Sequence, residues 1–323
     1  MRRINVLLLA DQDAFHPWCE DVVQAIGDRH NLSIFDETQP LAPQFDGVEV
    51  VIDHAGSVGT HEMMDAAKDA RHWQVMSTGF EHFDLDYIKT RGIPAANCPG
   101  QFSKESLAET AMMFILMLAH QYRPSIETFR SRALYVPMGW ELGDRNLGII
   151  GFGASGQELA RRAKPFGMRI LAIDIRTIEP EILNEIRPDL MGTPGDMDRV
   201  VAESDYLSLH LHVNDATRRI IDARRIALMK PTACLINVAR GALVDESALH
   251  QALLDGKLGG AGIDVFTDEP PDPTAPVYQL PNVVTTPHIA GCTYETSRRR
   301  AECAAENVDR IAQDLEPLYR IDI

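Results

Sequence analysis

A chain of 323 residues with 45% hydrophobic and 24% charged residues has the composition of a soluble globular protein and the length for two cores. Its formal net charge of −16 argues against nucleic acid or an anionic membrane as partner, because phosphate binding runs on an excess of Lys and Arg. Cys19, Cys98, Cys234, Cys292 and Cys303 are odd in number and lack metal or redox spacing, and no apolar run reaches bilayer length, so a reducing, cytoplasmic setting is expected.

Arg2 and Arg3 precede an apolar run, 4–10, that soon meets Asp11 and Asp13 and shows no cleavage site, so it reads as a first strand and not as a secretory signal. Up to residue 100, apolar runs at 4–9, 48–52, 73–76 and 95–96 alternate with helical patterns near 21–26, 61–67 and 84–90. Such alternation predicts a small α/β unit with a parallel sheet. Asn97-Cys98-Pro99-Gly100 breaks the pattern, and either Ser103 or a capping box at Ser106-x-x-Glu109 opens an apolar helix ending near His120. A hinge is expected here. From Asn146 the alternation resumes with six candidate strands, 147–150, 170–173, 205–209, 234–237, 260–263 and 283–285, the number in a full dinucleotide-binding domain. A last helix, 295–315, turns Ala301, Ala304, Ala305, Val308 and Ile311 inward and carries Arg298, Arg299 and Arg300, read as a solvated face.

The stretch 146–174 is the most informative. It reads as strand, the turn Gly151-Phe152-Gly153-Ala154-Ser155-Gly156, helix, and a second strand ending in Asp174. Gly151 can take a positive φ, Gly153 lets the backbone approach a diphosphate, and Gly156 lets helix and strand pack closely. Phosphates would sit on the helix N-terminus, where unpaired N–H groups and the helix dipole favour an anion. Asp174 would accept from the adenosine ribose hydroxyls of NAD and repel the 2′-phosphate of NADP; Arg176, two residues on, could instead reach that phosphate. Gly167 offers the helix its stop. The bland alternative is a βαβ turn with no ligand.

In an open parallel sheet, ligands lie beyond the C-terminal ends of the strands, and Arg240, Glu269 and His288 each follow a candidate strand. Taken singly they read equally well as a surface charge, a polar turn and an ordinary histidine. Together they are what reduction of a 2-keto acid requires: a fork for the carboxylate, a proton donor for the carbonyl oxygen, and a carboxylate to hold the donor protonated.

Four ordered stretches resemble the D-isomer-specific 2-hydroxyacid dehydrogenase family over nearly the whole chain. They are Gly148-Ile149-Ile150-Gly151-Phe152-Gly153, Asn237-Val238-Ala239-Arg240-Gly241-Ala242-Leu243-Val244-Asp245, Gly262-Ile263-Asp264-Val265-Phe266-Thr267-Asp268-Glu269-Pro270 and Pro287-His288-Ile289-Ala290-Gly291. The resemblance implies that Arg240 binds the substrate carboxylate and polarises the keto group, that His288 is the acid/base, and that Glu269 fixes its tautomer and keeps it available as imidazolium. It further implies NAD contacts from Gly151, Gly153, Ala154, Ser155, Gly156, Asp174, His210, Val238 and Asp264, the last holding the nicotinamide carboxamide. His212 stands where the family usually has proline. Ser77-Thr78-Gly79-Phe80-Glu81 resembles the loop whose N–H groups hold the substrate carboxylate, with Thr78 and Gly79 as contacts and Ser77 replacing a usual glycine.

The implied fold is α/β, with two Rossmann-like or flavodoxin-like parallel-sheet domains and a cleft between them that closes on the substrate. The substrate domain would be discontinuous, 1–101 with 292–323, and the dinucleotide-binding domain would be 102–291. A homodimer is implied through the cofactor domain, with the helix 107–119 and the arm to Trp140 as the surface; the helix could equally be buried within one subunit. The expected activity is NAD-linked interconversion of a 2-keto acid and its D-2-hydroxy acid, of glyoxylate or hydroxypyruvate type or broader, with no metal. Within the family, 3-phosphoglycerate dehydrogenases carry arginines where this chain has His54 and Gly56, and an end at Ile323 leaves no regulatory domain. A formate dehydrogenase would want glutamine in place of Glu269. The side-chain pocket is expected around His54, Phe80 and Phe102. The competing class is an NAD-sensing corepressor-like binding protein.

Overall fold

The computed structural model describes residues 1–9, 16–54, 59–81 and 83–323; Asp11, Asp13 and Gly56 lie outside them. The chain divides into two compact units, Met1–Phe102 with Cys292–Ile323, and Ser103–Gly291.

The first unit runs β1 (Asn5–Leu9), α1 (Trp18–Ile26), β2 (Asn31–Ile34), α2 (Leu41–Gln44), β3 (Val50–Asp53), α3 (His61–Ala66), β4 (His72–Val75), α4 (Leu85–Thr90) and β5 (Ala95–Ala96). Its sheet has the order β2-β1-β3-β4-β5, all parallel. Continuous apolar strands follow from burial on both faces. On β1, Val6 and Leu8 face one layer with Val22 and Ile26, while Leu7 and Leu9 face the other with Phe45, Met64 and Trp73. Strand β2 escapes a search for apolar runs because Asn31-Leu32-Ser33-Ile34 is an edge strand, at most half-buried.

The chain returns to this unit as the helix Tyr294–Ile311, which lays Ala301, Ala304, Ala305, Val308 and Ile311 on the Val6 and Leu8 face, as the periodicity predicts. Asn307 then ties in the C-terminal segment: its amide donates to Gln74 Oε1 at 2.7 Å, and its Oδ1 accepts from Leu318 N at 2.7 Å. Ile321 N donates to Ala95 O at 2.9 Å, covering the β5 edge. The triple arginine is not one solvated face. Arg298 is exposed, but Arg299 donates to Phe102 O at 2.9 Å, and Arg300 is only 8% exposed, donating to Thr78 Oγ1 at 3.3 Å with its guanidinium over the Trp18 ring. Consecutive helix residues are about 100° apart, so three in a row cannot share one face.

Two buried histidines make this unit acid-sensitive. Burial pushes His54 down from 6.5 to about 4, with the nearby Arg300 charge adding to it. Burial does the same to His72, although hydrogen bonds to Gln74 and Pro94 oppose it. The unfolded chain takes up a proton below about pH 6.5 that the folded chain refuses, so stability is present above that pH and lost as pH falls toward 4, up to about 3 kcal/mol per histidine. Urea midpoints should therefore fall between pH 6.5 and 4.5, less steeply in His72→Gln; equal slopes for wild type and variant count against this.

The second unit runs α5 (Lys104–Ala119), α6 (Tyr122–Arg130), β6 (Asn146–Ile150), α7 (Ala154–Ala163), β7 (Arg169–Ile173), α8 (Pro180–Ile186), β8 (Leu190–Gly192), α9 (Met197–Glu203), β9 (Tyr206–Leu209), α10 (Ala223–Leu228), β10 (Cys234–Asn237), α11 (Glu246–Leu254), β11 (Gly260–Ile263) and β12 (Val283–Thr285). The returning helix of the first unit is α12. The sheet has the order β12-β11-β10-β9-β6-β7-β8, seven strands and not six. The extra one, β8, is a three-residue edge strand too short and too exposed to show as an apolar run. Gly167, at φ 75°, ends the turn that follows α7.

Helix α5 begins just after Ser103, whose side chain makes no capping bond, and not at Ser106. It is largely buried within its own unit, with Phe114 pressed onto Gly262 of β11. The following arm is different: Phe129, Leu134, Tyr135 and Met138 are exposed, Tyr135 at 94%. Among the described residues no helix is long and apolar enough to cross a membrane.

Candidate active site

Strand β6 has β9 on one side and β7 on the other, the point at which strand order reverses. The chain leaves β6 through Gly151 at φ 93°, where a Cβ would overlap the His210 carbonyl oxygen. A Cβ on Gly156 would overlap the Gly151 carbonyl oxygen, so the first turn of α7 lies directly on the β6 turn. Helix α7 starts at Ala154 with no side chain capping it, so the N–H groups of Ala154, Ser155 and Gly156 open its N-terminus. Around Gly153, the Arg176 guanidinium is the near neighbour of a built Cβ, at 3.4 Å. Bare N–H groups and a helix N-terminus fit a dinucleotide diphosphate.

Asp174 follows β7 and is held in place. Its carboxylate accepts from Phe152 N at 2.8 Å, Arg176 N at 2.8 Å, Arg176 Nε at 3.0 Å and Arg176 Nη2 at 3.1 Å. Burial pulls its pKa up, but these bonds outweigh it and hold the carboxyl below its usual range. His210 is gripped by two hydroxyls, Ser155 Oγ at Nδ1 (3.0 Å) and Ser208 Oγ at Nε2 (2.9 Å). Burial pushes it down to about 4, so the ring is neutral near pH 7. The Ser155–His210 bond, which links the β6–α7 turn to the end of β9, was not legible in either motif. Val238 is buried just past β10, and His212 is exposed.

Arg240, Glu269 and His288 follow β10, β11 and β12, three adjacent strands, so all three stand at one C-terminal sheet edge. Glu269 Oε2 meets His288 Nδ1 at 2.8 Å, and its Oε1 accepts from Phe266 N at 3.0 Å. A carboxylate at Nδ1 places the proton on that nitrogen and makes Nε2 the atom that can exchange one with a ligand. The pair remains reachable, with side chains 47% and 38% exposed. Arg240 is set by its own turn: Asn237 Nδ2 donates to Arg240 O at 2.9 Å, and Arg240 Nη1 to Ala239 O at 2.6 Å. Gly241 lies flat on the Phe266–Thr267 peptide, where a Cβ would overlap the Phe266 carbonyl carbon.

His288 has φ 56°, an uncommon conformation for a non-glycine residue, and the surroundings enforce it. Its N–H donates to Asp264 O at 2.8 Å. Asp264, expected at the nicotinamide carboxamide, is fully buried, and its carboxylate braces the His288 loop: it accepts from Thr286 Oγ1 at 2.6 Å, Ile289 N at 2.8 Å and Ala290 N at 2.9 Å. Ser106 of α5 donates to Ala290 O from the other side. A carboxylate inside the apolar run Gly262-Ile263-Asp264-Val265 was the available signal, since a buried charge must be satisfied by donors.

In the first unit, the 77–81 loop follows β4. Ser77 Oγ donates to Gly79 O, so the residue in place of a glycine closes the turn on itself. Thr78 Oγ1 donates to Cys98 O at 3.0 Å, and Thr78 O accepts from Asn97 Nδ2 at 2.8 Å. His54 is buried edge-on to Trp18, with ring centroids 5.9 Å apart; Phe80 and Phe102 are half-buried.

Residues 112–290 match the profile of the D-isomer specific 2-hydroxyacid dehydrogenase, NAD binding domain. A hydroxypyruvate reductase of Thermotoga maritima is 36% identical over 287 residues, covering 87% of this chain and 88% of the relative. The chain belongs to the D-isomer-specific 2-hydroxyacid dehydrogenase family. A glyoxylate reductase of Korarchaeum cryptofilum is likewise 36% identical, over 76% of this chain and 74% of its own. The structure of D-lactate dehydrogenase from Aquifex aeolicus with NAD and lactic acid superposes with a TM-score of 0.81 at 27% identity, covering 99% of each chain. As a 2-hydroxyacid dehydrogenase, the protein is an oxidoreductase acting on the CH–OH group, interconverting 2-keto and D-2-hydroxy acids through an NAD-binding domain. Arg240, Glu269 and His288 all fall inside the matched residues.

Proposed function

We propose that this dehydrogenase reduces a short 2-keto acid of the glyoxylate and hydroxypyruvate class with NADH, with Arg240, Glu269 and His288 as its catalytic residues. The observation that carries the site is the 2.8 Å Glu269–His288 pair at the sheet edge shared with Arg240. The Arg240 fork binds the substrate carboxylate and draws electron density from the keto oxygen. His288 gives that oxygen its proton from Nε2 and takes it back in the oxidation direction; Glu269 stabilises the imidazolium and fixes the ring. The bound cofactor supplies or accepts the hydride. We also assign Thr78 and Gly79 as substrate contacts, and His54 in place of a basic residue disfavours a phosphorylated substrate. The curated hydroxypyruvate and glyoxylate reductases among its relatives support the substrate class.

Gly151, Gly153, Ala154, Ser155 and Gly156 form the diphosphate cradle, Asp174 takes the adenosine ribose, and His210 and Val238 flank the cofactor. We assign NADH as the preferred form because the carboxylate of Asp174, following β7, offers acceptors to the ribose hydroxyls, and Arg176 is already paired to it at 3.0 Å. The test is oxidation of NADH and NADPH with glyoxylate, hydroxypyruvate, pyruvate, phenylpyruvate, 2-ketoglutarate and 3-phosphohydroxypyruvate. The fastest turnover is expected with NADH and one of the first two acids; sole activity on the phosphorylated acid overturns the substrate class. Asp174→Ala should shrink the NADH over NADPH ratio of kcat/KM by about tenfold or more. An unchanged ratio removes Asp174 as selector.

We also propose a homodimer that covers the arm 122–140, since an exposed apolar stretch of this length is unusual on a monomer. A monomer mass in sedimentation equilibrium at micromolar concentration rules it out. The buried thiols Cys19, Cys98, Cys234 and Cys303 suit a reducing compartment, and we place the enzyme in the cytoplasm; recovery in an extracellular fraction contradicts this.

A further inference from the structure

The turn at Phe266 and Thr267 is held by two carboxylates, one on each of two successive N–H groups. Phe266 N donates to Glu269 Oε1 at 3.0 Å, and the next N–H, that of Thr267, donates to Glu246 Oε2 at 2.8 Å. Glu246 is the first residue of α11, with Asp245 as the cap, so the helix fixes its backbone. Its Oε1 accepts from Tyr278 Oη at 3.3 Å and lies 3.6 Å from His250 Nε2. Tyr278 is itself set edge-on between Phe266 and His250, with ring centroids 5.6 and 5.5 Å away. Glu246, Tyr278 and His250 line one enclosed space with Asn237 and Gly241, the residues that shape the Arg240 turn.

We infer that Glu246, clamped by Tyr278, is a positioning residue for the acid/base pair and for Arg240. It acts through the Phe266–Thr267 peptide, which supports Gly241 and is joined through Phe266 to the N–H that holds Glu269. Two donors side by side on one turn fix its rotation as well as its position. With only Glu269 attached, the turn could pivot, and Glu269 would follow it away from His288 Nδ1. This inference rests on the reading of Glu269 and His288 as the acid/base pair.

The experiment compares Glu246→Ala, Glu246→Gln and Tyr278→Phe in the full-length enzyme, with His288→Ala as a control on the same keto acid. Glu246→Ala is expected to lower kcat about 10- to 100-fold with KM for NADH within about twofold, because the reacting groups are displaced and the cofactor contacts are not. Loosening Glu269 also weakens its hold on the imidazolium, so the descending limb of the kcat/KM profile should move to lower pH. Glu246→Gln keeps an oxygen for the Thr267 N–H and should recover most of kcat. Tyr278→Phe deletes a single hydroxyl and should move kcat and the limb the same way by a smaller amount, which keeps the test open if Glu246→Ala fails to fold. A lowered melting temperature with kcat and the pH limb unchanged in both Glu246→Ala and Tyr278→Phe overturns the inference and leaves Glu246 structural. Were His288→Ala to keep wild-type turnover, the reading of the pair itself would fall instead.

Discussion

Replacing His288 with alanine is expected to lower kcat for keto-acid reduction by about 10²- to 10⁴-fold, with the dissociation constant for NADH staying within about twofold. The reason lies in what each part of the sheet edge touches. His288 is tied to Glu269 at 2.8 Å and held by the Asp264 knot, none of which belongs to the β6–α7 turn that offers its N–H groups to a diphosphate. Its removal takes away the proton donor and leaves the cofactor cradle as it was. Glu269→Gln gives a smaller loss of a different kind. The amide can still occupy the site next to Nδ1, but it no longer offsets the charge of an imidazolium. Stopped-flow hydride transfer with fluorescence titration of NADH separates the two effects. A His288→Ala enzyme with wild-type turnover would falsify the assignment.

Arg240→Lys, which keeps the charge, is expected to lower kcat/KM for the keto acid by about 10²- to 10³-fold, or about 3–4 kcal/mol of transition-state stabilisation. A guanidinium presents two parallel N–H groups to a carboxylate and has a further edge for the keto oxygen; an ammonium is a single point charge on a flexible stem. The turn around Arg240 is built for a fixed fork. Asn237 holds its carbonyl, and Gly241 lies on the Phe266–Thr267 peptide, so the side chain leaves a backbone that cannot adjust to a shorter reach. Both kcat and KM should suffer, because the same group binds the acid and polarises the carbonyl. Steady-state kinetics on the preferred substrate decides it: a lysine variant within threefold of wild type means the substrate carboxylate is held elsewhere.

What could be read from the residues follows from where the constraints act. The glycine turn was legible because its demands are backbone demands: Gly151 and Gly156 stand where any Cβ would overlap a carbonyl oxygen, and Asp174 ends its strand. Strands β1, β6 and β7 were legible because burial on both faces leaves continuous apolar runs. Strands β2 and β8 were not, since edge strands need bury little and Asn31-Leu32-Ser33-Ile34 resembles a loop. Arg300 was misread with its neighbours because a run of like residues suggests one surface, whereas helical rotation sends each to a different environment. The candidate catalytic residues announced themselves at strand ends. Their supports did not, because Asp264, Ser106 and Glu246 act through hydrogen bonds to backbone atoms far away in sequence, and no spacing rule encodes those partners.

The return of α12 to the first unit has a consequence for the life of the nascent chain. The first sheet is synthesised with the Val6 and Leu8 face lacking the helix that covers it, and the residues that do so, Ala301 to Ile311, leave the ribosome only after the whole of the second unit. The second unit has no such debt: every strand of its sheet lies within one uninterrupted segment. Vectorial synthesis therefore lets the later-made unit complete its sheet before the N-terminal sheet receives its covering helix.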